Sequence, residues 1–305
     1  MADARVGVLV MAYGTPATHD DIEPYYTDIR RGRPPTPELL SDLIRRYDAI
    51  GGISPLAALT EAQRAGIERA LDTAAPGGYA VALGTKHADP KIEAGVEELI
   101  AKGCRHIVGL VLAPHYSAMS VGEYHGRARA KAAESGIGFT GIEHWHVIEP
   151  YVDFLAGAVR DELQRLPEGT KVLFTAHSLP ERIVAQGDPY PDELRATGAA
   201  VAAKIGLAPW TGWSTAYQSA GRTPEPWLGP DVLAVIDDLA AEPGATGLLV
   251  CACGFVSDHL ELLYDLDIEA AGRARERGIA FARTRALNDD PTVMAALAEL
   301  VRQAV

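Results

Sequence analysis

Six short runs rich in Val, Leu and Ile recur along the chain, at residues 6–11, 79–83, 106–112, 171–175, 211–216 and 247–252. Several are apolar on both faces, the pattern of parallel strands covered by helices on both sides. Between them lie amphipathic stretches at 37–48, 59–74, 92–102, 121–134, 192–205 and 231–241. Strand–helix alternation of this kind predicts an α/β fold with parallel sheets and right-handed crossovers. The run Val8-Leu9-Val10-Met11-Ala12-Tyr13-Gly14-Thr15-Pro16 is echoed by Val172-Leu173-Phe174-Thr175-Ala176-His177-Ser178-Leu179-Pro180, with Val, Leu, Ala and Pro in register. A second pair, Val111-Leu112-Ala113-Pro114 and Val250-Cys251-Ala252-Cys253, follows in the same order. Two ordered echoes suggest a structural duplication. Tyr13 and His177 are then equivalent positions, each just past the carboxyl end of a strand, where open α/β sheets bind ligands.

A chain of 305 residues, 48% of them hydrophobic, has room for two such units. The expected division is a first lobe at 1–146 and a second at 147–287, with the crossing near 143–150. The last helix, within 288–305, would pack back on the first lobe.

The formal net charge of −13 argues against nucleic-acid binding, which needs a basic face. No stretch approaches the roughly 18–20 apolar residues of a membrane span, and residues 1–7 lack signal-peptide anatomy. A cytoplasmic, monomeric protein is expected. Three cysteines, Cys104, Cys251 and Cys253, are too few for a disulfide framework. There is no G-x-G-x-x-G after the first strand, no phosphate-binding G-x-x-x-x-G-K-[ST], no G-x-S-x-G elbow, and no zinc-type C-x-x-C or H-E-x-x-H.

What remains is a small set of chemically capable residues. Glu261, Asp265 and Glu269 stand at i, i+4 and i+8, one acidic stripe on a helix. Such a stripe suits a divalent cation or a proton relay. It also admits a plainer account, with Asp258 and Glu261 as a capping box and the rest a solvated face. His177 offers a neutral imidazole for ferrous iron or for proton transfer, or else is a satisfied structural histidine. Arg30, Arg31, Arg33, Arg45 and Arg46 form an arginine island beside Tyr47, suited to an anionic ligand. Interspersed acids leave a mixed surface helix as the alternative. The loop at 51–56 places the Ser54 hydroxyl nearby.

The motifs Val10-Met11-Ala12-Tyr13-Gly14-Thr15-Pro16, Tyr25-Tyr26-Thr27-Asp28-Ile29-Arg30-Arg31-Gly32-Arg33, Gly51-Gly52-Ile53-Ser54-Pro55-Leu56, Ala176-His177-Ser178-Leu179-Pro180, Gly187-Asp188-Pro189-Tyr190, Pro226-Trp227-Leu228-Gly229-Pro230 and Gly254-Phe255-Val256-Ser257-Asp258-His259-Leu260-Glu261 resemble those of ferrochelatases. The opening motif is similar in particular to the coproporphyrin ferrochelatases of Gram-positive bacteria. The resemblance implies two Rossmann-like lobes clasping a porphyrin, and insertion of ferrous iron as a substrate, with no organic cofactor. It implies that His177 and Glu261 meet at the metal, that Tyr13 faces them across the ring and can ligate product iron, and that Asp265 and Glu269 extend an acidic path. It also implies that Arg30, Arg31, Arg46, Tyr47, Ser54 and Tyr124 hold the porphyrin and its propionates. Coproporphyrin III is the expected substrate. The alternatives are protoporphyrin IX, a cobaltochelatase acting on a sirohydrochlorin-type ring, or a non-catalytic haem or porphyrin carrier. Some ferrochelatases hold a [2Fe–2S] cluster on four cysteines. This chain departs from them with three, so no cluster is expected, and Cys251 and Cys253 read as buried strand residues.

Overall fold

The computed structural model describes residues 5–208, 211–221 and 223–305. Residues 1–4 of the N-terminal segment lie outside that set. The described chain forms two four-stranded, all-parallel sheets. The first contains β1 (Val6–Ala12), β2 (Tyr79–Thr85), β3 (His106–Val111) and β4 (Gly138–Ile142), in the order β2-β1-β3-β4. The second contains β5 (Lys171–His177), β6 (Trp213–Gln218), β7 (Gly247–Cys251) and β8 (Ala280–Arg283), in the order β6-β5-β7-β8. The two orders are the same permutation. β1 corresponds to β5 and β3 to β7, the two strand pairs whose sequences echo one another. In each sheet the chain reverses its direction of growth beside the first strand, the place where α/β sheets open a ligand crevice.

Among the described residues, eleven α-helices flank the strands: α1 (Ile22–Ile29), α2 (Pro37–Ala49), α3 (Leu56–Ala74), α4 (Ile92–Ala101), α5 (Val121–Glu134), α6 (Glu149–Leu163), α7 (Arg182–Ala185), α8 (Tyr190–Ile205), α9 (Val232–Ala241), α10 (Ala271–Arg277) and α11 (Pro291–Gln303). A π-helical segment, Leu262–Ala270, runs directly into α10.

The alternation of side chains along a strand explains why the runs are apolar on both faces. Val8 and Val10 of β1, with Val172, Phe174 and Ala176 of β5, enter one continuous core shared by both sheets. Tyr151, Val152, Leu155 and Val159 of α6 fill the space between them. Leu9 and Met11 point the other way, into a core closed by Ile92, Val96 and Leu99 of α4 and Val121 of α5. Leu173 does the same in the second sheet, against Val232 and Ile236 of α9 and Leu262 and Leu266 of the π-helical segment. Tyr13 and His177 continue the parity of these outward residues, so the duplicated strands deliver them to matching places.

α11 packs on α3, where Met294, Leu297 and Val301 join Ile67 and Leu71. A Cβ on Gly66 would stand 3.0 Å from Met294 Cγ, so the two helices approach closely there. Asp290 caps α11, accepting from the Thr292 and Val293 amides. No described helix is long and apolar enough to cross a membrane.

Candidate active site

β5 ends on His177, and Gly254 fixes the floor beneath it. The Gly254 amide donates to the Thr175 carbonyl at 2.9 Å, and a Cβ there would fall 2.4 Å from Ala176 Cβ. Only glycine lets the segment after β7 lie this close to β5. That segment carries Phe255, His259 and Glu261 to the strand end. The His177 ring is held by Nδ1, which donates to the Ser178 carbonyl at 2.5 Å, and the His177 carbonyl accepts from the Tyr190 hydroxyl at 3.0 Å. When the ring is neutral, this bond places its lone pair on Nε2. Nε2 points at Glu261 Oε1, 3.7 Å away. The gap is too long for a hydrogen bond and wide enough for a metal ion or a proton donor between the two atoms.

Glu261 is not one half of a capping box. Asp258 is engaged elsewhere, pairing with Arg283 at 2.9 Å and accepting from Asn288 at 3.0 Å. The Glu261 side chain is 32% exposed, yet its Oε2 is buried, lacks a hydrogen bond among the described residues, and lies 3.8 Å from His259 Nε2. Burial alone would raise this carboxyl. The positive charges of His177 and His259 when protonated, with the Ser219 hydroxyl, outweigh it and hold the pKa at about 2. One turn on, Asp265 behaves oppositely. Burial and the neighbouring Glu261 charge push it up to about 6, against the pull of Ser219 and Arg46. Glu269 is exposed. The stripe thus runs from a fixed anion, through a carboxyl that titrates near neutrality, to solvent. The i→i+5 hydrogen bonding of the π-helical segment widens the turn that carries Asp265 and Glu269. Such segments recur at functional sites.

Residues of the first half lie within electrostatic reach of Glu261. Tyr13 follows β1, is 43% exposed, and lies against His87 with ring centroids 4.7 Å apart and the planes tilted by 58°. Gly14, at φ +92°, turns the chain immediately after it, and a Cβ there would meet the Ala88 amide at 2.9 Å. The Tyr13 hydroxyl is pushed above its ordinary pKa, first by enclosure and then by the charge of Glu261. The phenol and the carboxylate therefore influence one another from opposite halves of the chain. Behind Tyr13, Tyr47 and Tyr124 are buried. The Tyr47 hydroxyl lies 3.5 Å from Thr15 Oγ1, and Lys86 sits over the Tyr124 ring at 5.5 Å.

The arginine island divides. Arg30 stacks on Tyr26 at 5.7 Å and donates to the Arg33 carbonyl; Arg31 is exposed. Among the described residues neither is in an ion pair. Arg46 is committed differently. It pairs with Asp42 at 3.3 Å and with Asp265 at 3.1 Å, and lies over the Tyr264 ring at 4.7 Å. It therefore ties α2 to the acidic stripe. Ser54 is buried, and its hydroxyl accepts from the Leu56 amide at 3.2 Å, at the start of α3. Cys251 and Cys253 are buried and free, Cys251 at the end of β7.

Three contributors escape sequence reasoning. Ser219, at φ +60°, donates to Asp265 Oδ2 at 2.5 Å. His87 bonds Asp28 at 2.7 Å, and burial lowers its pKa while Asp28 opposes the shift. His259 flanks Glu261. Ser219 and His87 both follow second strands, β6 and β2, so the duplication itself was the signal that could have found them.

A family model described as Ferrochelatase matches residues 5–305. The coproporphyrin III ferrochelatase of Halalkalibacterium halodurans is 42% identical over 307 residues, covering 99% of this chain and 98% of that protein. That of Bacillus subtilis is 41% identical over 308 residues, with 99% and 98% covered. A protein named ferrochelatase from Herpetosiphon aurantiacus is 42% identical, covering 98% of each. Among solved structures, SirB from Bacillus subtilis with Fe3+ superposes with a TM-score of 0.61 at 13% identity, over 98% of this chain and 95% of that one. CbiX, described as the terminal enzyme of siroheme biosynthesis in denitrifying bacteria, gives 0.55 at 15% identity, over 98% and 99%. These two likenesses establish the shared two-sheet fold.

Proposed function

Since the chain belongs to the ferrochelatase family, we propose that it inserts ferrous iron into coproporphyrin III, releasing the two inner pyrrole protons. The observation that carries this reading is the 3.7 Å gap between His177 Nε2 and Glu261 Oε1, one imidazole nitrogen facing one carboxylate at the end of a strand. Full-length relatives bearing the name coproporphyrin III ferrochelatase support the substrate. So does the chemistry of Arg30 and Arg31, two cations without carboxylate partners among the described residues, which suit a ring that carries four carboxylates.

A free porphyrin is flat and holds two N–H protons at its centre. To admit iron the ring must bend, the ion must shed water and both protons must leave. Propionate contacts at Arg30 and Arg31 anchor the periphery, and binding energy at the periphery sustains distortion at the centre. His177 Nε2 takes a pyrrole proton or presents the ion. Glu261, anionic throughout the neutral range, favours a cation beside it and passes protons toward Asp265. Asp265 and Glu269 lead to solvent. Tyr13 stands on the other ring face, placed to meet the iron of the product. Arg46 acts by holding Asp265, while Tyr47, Tyr124 and Ser54 shape the wall behind the ring.

Arg30→Ala is expected to weaken porphyrin binding by about tenfold, the scale of one charge-assisted contact. Unchanged affinity by fluorescence quenching would remove the propionate assignment. Asp265 accepts protons only when ionised. With its pKa raised to about 6, the insertion rate is expected to fall as pH drops through 6. Asp265→Asn should be slower overall and lack that limb. A limb that persists in the variant belongs to another group. The substrate assignment is tested by turnover of coproporphyrin III and protoporphyrin IX side by side under anaerobic conditions. Fast coproporphyrin turnover with little protoporphyrin turnover is expected, and equal turnover removes the assignment.

A further inference from the structure

Away from the reaction centre, His144, His146 and Glu193 converge. One ring nitrogen from each histidine and a carboxylate oxygen all lie within 4.8 Å of one another. The sequence His144-Trp145-His146 brings this about. The segment is held by Trp145, which is buried and donates its indole N–H to the Val111 carbonyl at 3.0 Å. The two imidazoles flanking it are free to turn toward α8. There Glu193, 9% exposed at its side chain, accepts the Tyr116 amide at 2.6 Å and the His144 Nδ1 proton at 2.7 Å. His146 is also 9% exposed at its side chain. Its Nδ1 lies 3.4 Å from the Glu193 carboxylate and has no hydrogen-bond partner among the described residues.

A buried, unpartnered ring nitrogen is costly. Here it faces two other donor atoms. His115 lies against His146, with ring centroids 5.5 Å apart, and its Nε2 bonds Thr197 at 2.8 Å.

We propose that His144, His146 and Glu193 form a second metal site, for a divalent late transition ion of the Zn2+ type. Two imidazoles and a carboxylate, with water in the fourth position, are a recognised zinc donor set. Tetrahedral bonds of about 2.0–2.1 Å require only small movements of the three side chains. His144, 57% exposed, provides the entry side. The donors come from both halves of the chain, the loop after β4 and α8. The ion would reinforce a junction already made by the Tyr116–Glu193 and Ser117–Asp188 bonds. The site does not depend on the proposed porphyrin chemistry.

The test begins with a His177→Ala/Glu261→Gln background, so that the reaction centre contributes no binding. Chelator-treated protein is titrated calorimetrically with Zn2+. One ion per chain is expected. Adding His144→Ala or Glu193→Gln should each weaken binding by more than the roughly 10–100-fold that loss of an outer-shell partner costs. Both variants spare the fold. His144 is mostly exposed, and Gln at 193 still accepts the Tyr116 amide. At a hundredfold excess over Kd, Zn2+ should raise Tm of the background by about 5 °C, and not that of His144→Ala. No uptake by the background overturns the proposal. So does uptake that either added substitution leaves unchanged.

Discussion

His177→Ala is expected to abolish metal insertion while leaving porphyrin affinity within about tenfold, roughly 1.4 kcal/mol. The ring is 36% exposed at the end of β5 and is held by one hydrogen bond from Nδ1 to the next carbonyl. Removing it leaves the strand register of β5 with β6 and β7 intact, so the fold should survive. What disappears is the Nε2 facing Glu261. No other imidazole replaces it, because His259 Nε2 lies on the opposite oxygen of Glu261, 3.8 Å away. Binding energy from the propionates is made elsewhere, and the two properties should therefore separate. If the variant loses porphyrin affinity in proportion to activity, His177 is a binding residue only.

Glu261→Gln is expected to lower the insertion rate by about 10²–10⁴-fold, the usual contribution of a positioned proton-transfer group. The amide is nearly isosteric but carries no charge and accepts no proton. A second readout follows from linkage. The folded-state pKa of Glu261 is depressed from 4.5 to about 2. Its ionised form therefore contributes stability that is present above pH 4.5 and is lost as pH falls toward 2. The parent should lose stability across that window more steeply than the Gln variant. Urea unfolding at a series of pH values measures this. Equal slopes would mean that the imidazoles of His177 and His259 do not hold the carboxylate in solution.

Much of this was legible in the sequence because strand interiors advertise themselves. The runs around Val8, Val108, Leu173 and Leu249 are apolar on both faces, and each face enters a separate core. The duplicated Ala12-Tyr13 and Ala176-His177 steps marked two equivalent strand ends. Edges were harder. Gly138–Ile142 and Ala280–Arg283 are short and largely half-buried, so β4 and β8 carry no strong apolar signal. β6 was expected at 211–216 and runs Trp213–Gln218. That slip hid Ser219, which stands just past its end. The π-helical bonding after Glu261 leaves hydrophobic spacing almost unchanged, so periodicity does not report it. Arg46 and Asp265 are 219 positions apart, and no local pattern pairs them. Sequence spacing therefore gives no sign that Arg46, expected at the propionates, also pairs with the acidic stripe.

The most direct test of the central claim is anaerobic mixing of the unmodified protein with coproporphyrin III and ferrous iron, following loss of the free-porphyrin absorbance. Insertion far above the uncatalysed rate, with many turnovers per chain, is the expected result. Tight porphyrin binding with insertion no faster than in buffer would contradict it, leaving the cleft between Tyr13 and His177 as a carrier site.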